Sequence, residues 1–86
     1  MPTDLLTLKL YASLGQYLPA GAVDNIAKVE LAADDSVASI IERYDLPARL
    51  VHLVLVDGVY IAPEDRASRL LKAGETLAIW PPVAGG

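Results

Sequence analysis

Apolar and polar residues alternate one for one between Leu5 and Tyr11, with Leu6, Leu8 and Leu10 interleaved by Thr7, Lys9 and Tyr11. A period of two is that of a strand with one buried face. Pro19 and Gly21 mark a loop, and a second strand is expected from about Asn25 to Leu31. The period then changes. Val37, Ile40, Ile41 and Tyr44 recur at i, i+3, i+4 and i+7, which predicts a short helix capped by Asp35 and ended near Pro47. Two apolar runs, Leu53–Val56 and Val59–Ala62, flank Asp57-Gly58, a strong signal for a two-residue hairpin. Pro63-Glu64-Asp65-Arg66 predicts a helical turn. Lys72–Glu75 turns the chain into a last strand, Thr76 to Trp80.

The resulting order is β-β-α-β-β-β, an α+β fold with one helix packed across a small mixed sheet. With the first and last strands paired in parallel at the centre, this is the β-grasp arrangement of ubiquitin-like domains. Residues 1–80 are expected to form that domain, and residues 81–86 an extended, flexible tail. If Leu6, Leu8, Leu10, Leu77, Ile79, Val59 and Ile61 face the helix, then Tyr11, Ala78, Trp80 and Tyr60 face outward. Three of the five aromatics then share one sheet face, Tyr11 and Trp80 close to where the tail leaves. Aromatics grouped in this way form a protein-docking patch, because Tyr and Trp are enriched among binding hot spots.

The tail carries the candidate chemistry. Trp80-Pro81-Pro82-Val83-Ala84-Gly85-Gly86 ends in two glycines, which suit a backbone that passes very close to another surface. The two prolines fix φ and extend the segment, so that six residues reach about 19 Å. No charged side chain follows Glu75, which spares the tail a desolvation cost in a buried channel. The expectation is a slim probe with the Gly86 carboxylate at its tip.

Composition narrows the alternatives. Eighty-six residues make one domain, and 53% hydrophobic content is too apolar for a disordered chain. There is no cysteine and one histidine, so disulfides, thiolate zinc sites and multi-histidine metal sites are excluded. A net charge of −4 argues against nucleic acid or anionic membrane as partners. No run is long enough to cross a membrane and Met1–Asp4 lacks a basic signal region, so cytoplasmic residence is expected. His52, the serines and Asp34-Asp35 form no catalytic or metal pattern.

The segment Gly74–Gly86 closely resembles the end of the small sulfur-carrier subunit of molybdopterin synthase, of the MoaD/ThiS type, with its acidic turn, hydrophobic strand and Pro-Pro-Val-small-Gly-Gly. Leu8–Leu14 is similar to that family's first strand and following turn. Asp57 stands where the family often has Asn, and Glu75 where it often has Asp. The resemblance implies that an E1-like adenylating enzyme uses ATP to activate Gly86, that a sulfur donor converts it to a thiocarboxylate, and that the large synthase subunit receives the tail. Gly85 and Gly86 would be the reacting segment, and Tyr11, Tyr60, Trp80, Pro81, Pro82 and Val83 the partner-binding residues. The chain itself would bind no cofactor and would not be catalytic alone. A carrier for thiamin or another sulfur metabolite, a ubiquitin-like modifier joined to lysines, and a binding module without tail chemistry are the rival readings.

Overall fold

The computed structural model describes residues 4–82. Its elements are β1 (Leu5–Leu10), β2 (Ile26–Glu30), α1 (Val37–Arg43), β3 (Leu53–Val56), β4 (Val59–Tyr60) and β5 (Thr76–Trp80), with 3₁₀ turns at Ala12–Tyr17, Ala48–Leu50 and Pro63–Asp65. The strands form one sheet in the order β2-β1-β5-β3-β4. β1 and β5 run parallel at its centre, and the other neighbours are antiparallel. This is the β-grasp fold.

The inner face is filled as the alternation requires. Leu6, Leu8, Leu10, Leu77, Ile79, Val54 and Val56 are buried in one cluster with Val37 and Ile40 of α1. Ile41 and Tyr44 pack against its rim, which accounts for all four positions of the expected helical stripe. Leu14, from the 3₁₀ turn after β1, is also fully buried. Sequence periodicity did not indicate this turn, because six residues of 3₁₀ structure carry too little repeat to read.

Three expectations are corrected. Ser36, not Asp35, caps α1: Ser36 and Ser39 each accept the other's backbone N–H through their hydroxyls, at 3.1 and 2.8 Å. Asp35 is instead a buried anchor, accepting from the Ala32 N–H at 2.8 Å, from Ser39 Oγ at 2.9 Å and from Arg43 at 2.6 Å. Arg43 also donates to the Glu30 carbonyl, which ties the end of α1 to β2. Second, Val59 is 63% exposed rather than buried, because β4 has only two paired residues at the sheet edge and the core does not extend beneath it. Third, Asn25 precedes β2. Asp24 and Asn25 hold φ of 53° and 65° between the bridged residues Val23 and Ile26, a turn of the kind that Asp57 and Gly58 make at 49° and 83°.

The first-turn N–H groups of α1 find acceptors outside the helix: Val37 donates to the Arg69 carbonyl at 3.0 Å and Ala38 to the Arg66 carbonyl at 2.9 Å. The connection before β5 therefore packs down on the helix start. Among the described residues no helix is long and apolar enough to cross a membrane, and no cluster of His, Cys, Asp and Glu side chains forms a metal site.

The ion pairs make stability depend on pH. The Ala32 N–H, with Arg43 and Ser39 adding, holds the Asp35 carboxyl below its ordinary value of 3.8 against the opposing effect of burial. The Arg69 guanidinium does the same for Glu75, ordinarily 4.5. Both groups ionise more readily folded than unfolded, so their contribution is complete above the ordinary carboxylate range and disappears as pH falls through the lowered folded values. Urea midpoints should hold steady from neutral pH to about 5 and then fall toward pH 3. Asp35→Asn should start lower at pH 7 and lose part of that acid-dependent drop.

Candidate functional site

β5 is the strand from which the Pro81-Pro82 segment departs, and it is clamped at both ends. At its start, Arg69 and Glu75 pair at 2.8 Å, and the Lys72 N–H donates to Glu75 at 2.8 Å. Thr76 exchanges hydrogen bonds with Asp57, its N–H donating to the carboxylate at 2.8 Å and its carbonyl accepting the Asp57 N–H at 2.9 Å. At the other end, the Tyr11 N–H donates to the Ile79 carbonyl and the His52 N–H to the Trp80 carbonyl, each at 3.0 Å. Pro81 follows at once. It has no N–H to continue the ladder, so pairing stops there for a covalent reason.

The Tyr11 and Trp80 rings stack across this exit, with centroids 4.2 Å apart and planes within 3°. Both are half-buried, as is Pro81, whereas Pro82 is exposed. Tyr60 is 55% exposed on the same sheet face, but it lies on the edge strand β4, with β3 between it and β5. The three aromatics therefore form a stacked pair at the exit and one separate ring. Val83, Gly85 and Gly86 lie outside the described residues.

Around these rings the outer face is more apolar than the aromatics alone suggested. One register row crosses all five strands: Ile26, Lys9, Ala78, Leu55 and Tyr60. Leu53, opposite Trp80, and Leu5 add to it. Ala78 points outward as expected yet is only 8% exposed, because its methyl group sits between the longer Lys9 and Leu55. The continuous run Leu53–Val56 carries no alternation, so its outward members cannot be picked from sequence.

The exit has a supporting contact that sequence reasoning missed. Asn25 holds Leu10 twice, accepting its N–H at 3.0 Å and donating from Nδ2 to its carbonyl at 2.7 Å. This fixes the end of β1 where Tyr11 begins. Gly15 makes room for it, since a Cβ there would stand 2.4 Å from Asn25 Nδ2. The legible signal was the Asp24-Asn25 pair, two residue types that tolerate positive φ.

The ThiS family model matches residues 19–86. The crystal structure of SAMP1 from Haloferax volcanii superimposes with a TM-score of 0.66 at 25% identity, over 95% of this chain and 99% of that one. The solution structure of the Haloferax volcanii HVO 2177 protein gives 0.67 at 26% identity, over 98% of this chain and 88% of that one. A crystal structure of H. volcanii small archaeal modifier protein 1 gives 0.67 at 23% identity, over 93% and 99%, and supports the fold alone. No curated protein matches the chain.

Gly15→Ala should push the Asn25 amide off the Leu10 carbonyl and destabilise the chain by about 1 kcal/mol in chemical denaturation, the worth of one hydrogen bond. In an Asn25→Gly background, which keeps the positive φ but removes the amide, the same substitution should cost nothing.

Proposed function

The chain belongs to the ThiS family, and from that footing we propose that it is a sulfur carrier whose Gly86 carboxyl is the reacting group. The observation that carries the reading is the geometry of the exit. β5 is held by both neighbours up to the Trp80 carbonyl, pairing ends at Pro81, and a stacked aromatic pair marks the point of departure. A rigid root and a proline-extended segment reduce the entropy lost when the last residues thread into a partner.

A carboxylate is a poor electrophile. In the proposed cycle an E1-like adenylating enzyme docks on the outer sheet face and joins Gly86 to AMP, releasing pyrophosphate from ATP. Hydrosulfide-level sulfur released by a donor then attacks the acyl carbon and expels AMP, leaving a C-terminal thiocarboxylate. The new sulfur is a better nucleophile than the oxygen it replaces, and its covalent attachment keeps it from diffusing away. Gly85 and Gly86 pass where a Cβ would obstruct, and Val83 gives an apolar foothold. The Pro81-Pro82-Val83 sequence favours the pyranopterin precursor of molybdopterin as acceptor, delivered in the large subunit of molybdopterin synthase. The ATP site and catalytic groups belong to the partners in this scheme, and this chain supplies the carboxyl and the docking surface.

The likeness to SAMP1 supports a second reading, a ubiquitin-like modifier that attaches Gly86 to lysine amines. Both readings begin with the same acyl-adenylate and diverge at the nucleophile.

Incubation with the cell's adenylating enzyme, ATP and a sulfur donor should raise the intact mass by the difference between one sulfur and one oxygen, and deletion of Gly86 should abolish the gain. An unchanged mass, with the enzyme active on another carrier, would overturn the carrier reading. Thiol-resistant conjugates of higher mass would favour the modifier. Trp80→Ala should raise the KM for adenylation about tenfold or more, as expected when a hot-spot aromatic is lost, while the chain stays folded.

A further inference from the structure

The outer face differs in charge from the rest of the molecule. Its strand-borne side chains include two bases, Lys9 and Lys28, and one acid, Glu30. The whole chain has seven basic and eleven acidic residues. Lys28 and Glu30 lie on the edge strand β2, and Lys28 Nζ donates to Thr7 Oγ1 at 2.6 Å. Lys9 is placed differently. It lies next to the central strand, between Ile26 and Ala78 in the five-strand row. Among the described residues it has no ion pair and no side-chain hydrogen bond.

We propose that Lys9 sets the specificity of this face, its ammonium being received by a single carboxylate within an otherwise apolar patch on the adenylating enzyme. The inference rests on the carrier reading above and names the partner chemistry of that same surface. Lys9 is half-buried with Ile26 and Ala78 as its register neighbours, and a lysine so placed can cover apolar surface with its stem while water solvates its charge. A partner that covers the row removes that water. An apolar partner without an acid leaves a desolvated, unpaired ammonium and is rejected, whereas one with a carboxylate opposite Lys9 gains a charge-assisted hydrogen bond. The surrounding apolar residues exclude water from the pair and give it its discriminating power. Isoleucine or valine would suit strand and patch alike at position 9, so a lone lysine there acts as a selection device against apolar partners that lack the acid.

The test uses the 86-residue chain and its cognate adenylating enzyme. Adenylation is followed by pyrophosphate release for the wild type, Lys9→Met, Lys9→Glu and Arg49→Glu. Arg49→Glu makes the same charge change on an exposed residue away from the sheet face. Thermal melts check that each variant is folded. Lys9→Glu should lower kcat/KM about tenfold to a hundredfold, chiefly through KM, with Lys9→Met intermediate and Arg49→Glu within about twofold of wild type. Reversing the partner's opposing acid to lysine should restore the Lys9→Glu chain. Equal activity of wild type and Lys9→Glu, or an equal loss with Arg49→Glu, would overturn the Lys9 assignment and leave the carrier reading standing. A wild type that releases no pyrophosphate would overturn both.

Discussion

The structure depends on β5 being paired on both sides. β1 holds it in parallel and β3 in antiparallel, and the four corners of that arrangement are fixed by Glu75, Asp57, Tyr11 and His52. A one-residue slip of a central strand turns its apolar set to the wrong face, so the buried Leu77 and Ile79 fix the register along with the backbone. The consequence is felt at Trp80. Pro81 follows at a fixed point and, lacking an N–H, ends the ladder there.

The inner sheet face is wholly apolar, and the outer one mixes apolar with polar residues. The inner face is closed by α1, whose start is satisfied by carbonyls from the connection before β5 and whose end is tied to β2 through Arg43. The outer face has no such cover, yet carries Ile26, Leu53, Leu55, Tyr60 and the Tyr11–Trp80 stack. A sheet with one solvated face ordinarily presents mostly polar residues there. These apolar residues lie next to the strand exit, and they are the surface on which the proposed docking of a partner, and the proposed selection by Lys9, both rest.

The turn that supports the exit shows how local chemistry reaches the site. Asp24 and Asn25 adopt positive φ, which places the Asn25 side chain on the Leu10 carbonyl, and Gly15 leaves the space for it. Ala12, just after Tyr11, also sits at a positive φ of 51° without the polar side chain that eases that conformation. Residues away from the stacked pair thus hold the end of β1 on which Tyr11, and through it Trp80, is oriented.

By itself the sequence determined the order of elements, the inner face of β1 and β5, the Asp57-Gly58 hairpin, the helical stripe and the character of the last seven residues. Each of these is written in a period or in a residue with a narrow conformational range, which a local reading can recover. Tertiary structure decided what local patterns do not encode. Val59 is exposed because the core stops short of the sheet edge; Asp35 serves as an anchor because Arg43 and Ala32 meet it there; Leu53 and Leu55 join the outer face because an unbroken apolar run does not say which side is which. The exit geometry belongs to the same class. Tyr11 and Trp80 lie far apart in sequence, and only the parallel pairing of β1 with β5 brings their rings into contact.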